Sequence, residues 1–68
     1  MSYKLRLREL RQARGLTQTA VAAAVNTTPG AVNQWESGLT QPSMANLVAL
    51  TAALDCTLDE LVDIQATG

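Results

Sequence analysis

Two neighbouring amides, Asn33 and Gln34, are the residues of this chain best suited to recognition chemistry, and they sit in the stretch Val32-Asn33-Gln34-Trp35-Glu36-Ser37-Gly38. At about 100° per residue on a helix, Val32 and Trp35 point inward together. Gly30, Asn33, Gln34 and Ser37 are left on an outer face that is polar yet uncharged. An amide offers a donor and an acceptor side by side, which matches the N6/N7 edge of adenine in the major groove of DNA. Two amides also solvate an ordinary surface helix, so their position has to decide between the two readings. Catalysis finds no such residues: there is no His, one Cys, and no nucleophile beside a base or cluster of metal ligands. No enzyme activity, metal or cofactor is expected.

Cap and turn residues divide the chain into five segments with apolar residues three and four apart, a pattern that predicts an all-α fold. The first, about Tyr3 to Ala13, sets Tyr3, Leu7 and Leu10 on one stripe, leaves Leu5 off it, and ends at Gly15. Thr17 caps a second, about Gln18 to Ala24, which buries Val21 and Val25 among small alanines, and Asn26 suits the left-handed turn after it. Thr28 caps a third, Pro29 to Ser37, where proline at the first position loses no hydrogen bond, and Gly38 ends it. Ser43 caps Met44 to Leu54, with Leu47, Leu50 and Leu54 as a core stripe. Thr57-Leu58-Asp59-Glu60 forms a capping box for a fifth helix that buries Leu58 and Leu61. The tail, residues 65–68, is expected to fray.

A chain of 68 residues makes one domain, residues 1–68, that buries only about 60 % of its unfolded surface. A deep substrate cavity is therefore out of reach. One Cys gives no internal disulfide, no apolar run nears the ~18 to 20 residues of a membrane span, and no secretory leader is visible, so a cytoplasmic protein is expected. Cys56 reads as a small core residue rather than a redox switch. The net charge is −1, but Lys4, Arg6, Arg8, Arg11 and Arg14 are all the cations, so residues 1–35 carry +4 and residues 36–68 carry −5. Such a dipolar chain can turn a positive face to a polyanion.

Residues 7–62 resemble the helix-turn-helix domain of the Cro and phage-repressor family, also called the Xre or lambda-repressor-like family. The matching pieces are LRELRQARGLTQ (7–18), VNQWESG (32–38), QPS (41–43), LVALTAAL (47–54) and TLDELV (57–62), in this order. The resemblance implies a compact five-helix domain with its helix-turn-helix at about 17–37. It further implies a sequence-specific transcription regulator, a repressor more than an activator. The third helix would lie in the major groove of double-stranded DNA, usually in a homodimer on a two-fold symmetric operator.

By position, the resemblance assigns base reading to Pro29, Gly30, Asn33 and Gln34, and a structural salt bridge to Arg11 and Glu36. Gln18 matches a position that binds phosphate or buttresses the recognition helix, with Thr17 beside it. Thr28 is a candidate for the same backbone role, and free N–H groups at helix starts attract phosphate. With Arg11 committed to Glu36, the other cations, Arg14 among them, remain for phosphates or solvent. The loop GLTQPS has no Lys or Arg where many relatives place cations, so Thr40, Gln41 and Ser43 would have to substitute. Dimer contact falls to Leu58, Val62 and Ile64, with Leu39 nearby. Pro29-Gly30-Ala31 leaves the leading end of the recognition helix almost bare, and Asn26 stands where relatives often have Gly. An alternative is a protein-interaction module such as an antitoxin, which binds a protein as well as DNA and whose acidic half would suit a basic partner.

Overall fold

The computed structural model describes residues 2–65. Five helices, α1 (Leu7–Ala13), α2 (Gln18–Ala24), α3 (Pro29–Ser37), α4 (Met44–Leu54) and α5 (Leu58–Leu61), surround one apolar interior. Two short strands, β1 (Ser2–Leu5) and β2 (Val62–Gln65), precede and follow them. The fold is therefore mostly helical, with a minor two-stranded sheet.

Hydroxyl caps start four of the helices, because the first N–H groups of a helix have no partner within it. Thr17 accepts from Ala20 N at 3.0 Å, Thr28 from Ala31 N at 3.1 Å and Ser43 from Asn46 N at 3.2 Å. At α5, Glu60 N donates to Thr57 Oγ1 at 3.2 Å while Thr57 N donates to Glu60 Oε1 at 2.9 Å, which completes the capping box. Gly38 ends α3 at φ 81°, a left-handed conformation that costs glycine nothing. Leu7, Val21, Val32, Leu50, Leu54 and Leu61 are wholly buried, each stabilising the fold by about 1.5–3 kcal/mol. Cys56 is half-buried against this core, and burial pushes its thiol above the ordinary value.

Three sequence expectations are corrected. Residues 2–5 are not the start of α1. They form β1, antiparallel to β2, with Ser2 opposite Gln65, Tyr3 opposite Ile64, Lys4 opposite Asp63 and Leu5 opposite Val62. The reason is tertiary: Arg6 gives α1 no side-chain cap, its N–H donates to Leu61 O at 2.8 Å, and Leu5, off the helical stripe, packs on the core from the strand. The side chain of Tyr3 lies outside the described residues. Second, Leu58 is 43 % exposed rather than buried, because α5 has only one turn and spends its inward position on Leu61. Third, Gln65 pairs with Ser2 instead of belonging to a frayed tail; residues 66–68 lie outside the described ones. No helix among the described residues is long and apolar enough to cross a membrane.

After α4, Asp55 takes φ 51° and ψ 53° with its carboxylate at the negative end of the helix dipole. Asp55→Gly removes both costs, and it is expected to raise stability by about 0.5–1 kcal/mol in urea unfolding. A lower urea midpoint would show that the aspartate does something else for the turn.

Candidate nucleic-acid interface

The turn between α2 and α3 is set by Asn26 at φ 59°, after which Thr27 N donates back to Ala22 O at 2.8 Å. With Val32 and Trp35 buried below, α3 presents Gly30, Asn33, Gln34 and Ser37 to solvent. Gly30 has ordinary helical backbone, and a Cβ there would meet nothing nearer than Thr28 Oγ1 at 4.0 Å. The fold itself does not require glycine at that position.

Glu36 lies beside this face with its side chain fully buried. Its Oε2 accepts from Arg11 Nε at 2.6 Å, and its Oε1 accepts from Arg11 Nη2 at 3.2 Å, Gln18 Nε2 at 3.1 Å and Arg8 Nε at 3.3 Å. Arg11 also donates from Nη1 to Leu16 O at 2.9 Å. One carboxylate thus ties α3 to both α1 and α2. Burial pushes the Glu36 carboxyl upward, but the hydrogen bonds from Arg11, Gln18 and Arg8 and the charge of Arg11 outweigh it, so its pKa lies below the ordinary value.

Gln18 uses the same Nε2 to reach Asn33 Oδ1 at 3.3 Å. Both side-chain N–H bonds of Gln18 are thus directed at Asn33 and Glu36. The contact engages the Asn33 carbonyl, while its NH₂ group has no hydrogen-bond partner among the described residues. Gln34 has a long contact at 3.5 Å, in which Thr40 Oγ1 donates to Gln34 Oε1.

The helix-turn-helix family model matches residues 7–61. The chain belongs to that family, in its Cro and phage-repressor branch. Over 62 residues it is 32% identical to the HTH-type transcriptional activator BcrR of Enterococcus faecalis, covering 91% of this chain and 30% of that one. Over 57 residues it is 37% identical to repressor protein C2 of Salmonella phage P22, covering 84% of this chain and 26% of that one. The chain therefore spans less than a third of the length of either relative. The P22 c2 repressor solved in complex with synthetic operator 9T superposes with a TM-score of 0.75 at 37% identity, over 79% of this chain and 82% of that one. The restriction-modification controller protein C.AhdI from Aeromonas hydrophila gives 0.77 at 38% identity, over 81% and 83%.

Around this helix-turn-helix, the remaining expected residues take varied positions. Thr17, Thr28 and Ser43 cap helices through their oxygens, so each exposed hydroxyl keeps its own proton to donate outward. Pro29, Thr40 and Gln41 are exposed. Arg14 donates from Nε to Leu54 O at 2.8 Å and from Nη2 to Asp55 O at 3.1 Å, and so satisfies the last carbonyls of α4. Leu39 is 73% exposed, whereas Val62 is half-buried against the core. Ile64 lies in β2, and its side chain is outside the described ones. Sequence reasoning missed Arg8, although its three-residue spacing from Arg11 puts both on one face of α1.

Glu36→Ala leaves Arg11 buried without its partner. It is expected to cost about 3 kcal/mol, the lower end of the usual range because the Arg8 arm is half exposed. Glu36 and Glu60, the latter held down by the Thr57 backbone N–H, both have depressed pKa values. Their stabilisation is complete above the ordinary carboxylate pKa, roughly pH 4, and is lost as pH falls through the depressed values. Urea unfolding across this range should show a shallower acid limb for Glu36→Gln than for the parent; superimposable limbs would place the acid sensitivity elsewhere.

Proposed function

We propose that the chain is a DNA-binding transcription regulator of repressor type that reads the major groove with α3. The observation that carries this reading is the exposed, uncharged amide face of α3, backed by Val32 and Trp35 and fixed in rotation by the Glu36 network. An α-helix with its side chains is about 10–12 Å across, which fits a major groove about 12 Å wide, and the nine residues of α3 give it a length of about 13 Å. Asn33 and Gln34 are the base readers. The bare turn Pro29-Gly30-Ala31 lets the backbone approach the bases, and the hydroxyls of Thr17, Thr28 and Ser43 meet phosphates with Thr40 and Gln41. The P22 relative supports the reading, since its structure was solved with an operator.

A DNA-binding domain of this size reads too few base pairs alone, so it acts as a homodimer on two half-sites. Among the described side chains, Leu39, Met44, Val48 and Leu58, between 43% and 73% exposed, are large apolar ones available for a second copy. Reading DNA also places the chain in the cytoplasm with the chromosome.

Selection of bound sequences from a random duplex pool tests the groove reading and the pairing together. The parent should enrich inverted repeats with centres about 10 base pairs apart. Asn33→Ala and Gln34→Ala should each lose about 1–3 kcal/mol of discrimination at one base position per half-site. Enrichment of no motif sinks the groove reading, single half-sites sink the dimer, and a parental motif in both variants removes these residues as readers.

A further inference from the structure

The five cations of the chain are mostly occupied within it. Arg6 Nη2 pairs with Asp63 Oδ2 at 3.2 Å, Arg8 and Arg11 converge on Glu36, and Arg14 is spent on the carbonyls closing α4. Among the described residues, Lys4 is the one cation whose charged group has no partner. Its cross-strand neighbour in register is Asp63, but that carboxylate is already held by Arg6.

Lys4 lines an open cleft of about 330 Å³ with Ser37, Thr40 and Gln41, over a floor that includes Trp35 and Pro42. Ser37 belongs both to this cleft and to the exposed face of α3, so a duplex lying along that face runs its flanking backbone past the cleft. The loop side offers hydroxyl and amide groups and no charge, because residues 38–43 contain no Lys or Arg. Glu36 also reaches the cleft wall, but its charge is met by two guanidinium groups. An ammonium on a four-carbon stem provides three rotatable donors and the missing positive charge.

We infer that Lys4, carried on β1, supplies the cation with which the loop between α3 and α4 grips a phosphodiester of the DNA backbone. This contact rests on the DNA-binding reading above. It strengthens binding without selecting sequence, since phosphate contacts position a protein while base contacts specify.

The test is a titration of a mixed-sequence duplex of about 20 base pairs, two helical turns, over a range of salt, with the parent, Lys4→Gln, Lys4→Arg and Ala52→Glu. Ala52→Glu shifts net charge by the same unit on an exposed position near the far end of α4. Lys4→Gln should flatten the slope of log K against log salt by about 0.9 per subunit and weaken binding about eightfold per contact at 0.1 M salt. Lys4→Arg should keep the parental slope, and all three variants should melt with the parent. A parental slope for Lys4→Gln, an equal change in Ala52→Glu, or early melting of Lys4→Gln would each overturn the inference. Absence of duplex binding by the parent overturns the DNA-binding reading itself, whereas parental binding with an unaltered Lys4→Gln slope removes this contact alone.

Discussion

A carboxylate removed from solvent on α3 must find donors, and those that reach Glu36 come from α1 and α2. An uncompensated charge in that position would cost several kcal/mol, so the pairing is required once the residue is buried. Apolar burial alone does not fix the roll of a helix, because it is proportional to area and has no direction. Val32 and Trp35 attach α3 to the interior, and the bonds to Glu36 set which edge of the helix faces out. Through Gln18 the same network turns the Asn33 amide, so rotation of the helix and orientation of its first amide are set together.

This arrangement changes what the charge asymmetry of the chain means. The positive half does not form a broad cationic face, since all four of its guanidinium groups tie elements to one another: Arg6 to β2, Arg8 and Arg11 to α3, Arg14 to α4. What remains for a polyanion is the single ammonium of Lys4 and a set of neutral donors on helix starts and loops. Such a surface favours a close, well-aligned fit over long-range attraction, which salt screens beyond about 10 Å.

The helices were legible where their signals are local. Thr17, Thr28 and Ser43 each cap a helix within four residues of themselves, and α2, α3 and α4 run over the spans their caps and stripes predict. The strands were not, because each needs a partner at the other end of the described chain. Tyr3 and Leu5 alternate with Lys4 and Arg6, and Val62 and Ile64 with Asp63, yet so short an alternation also fits a helix. Asn33, Gln34 and Ser37 could be placed on one outer face from periodicity alone. The partner of Arg14 could not, since it is a pair of backbone carbonyls that no residue type announces. Leu58 misled for a related reason: apolar character marks a residue fit for burial, but a one-turn helix has room to bury only Leu61.

A two-stranded ribbon has little stability of its own, and such segments open at lower free energy than a packed helical core. Here the ribbon joins the two flanks of the domain and carries an ammonium, while the amides stand on a rod anchored by an indole and a buried ion pair. Parting the ribbon would withdraw the ammonium and leave the amides in place. Grip and discrimination are therefore mounted on separate pieces of the molecule, and a change in one can leave the other untouched.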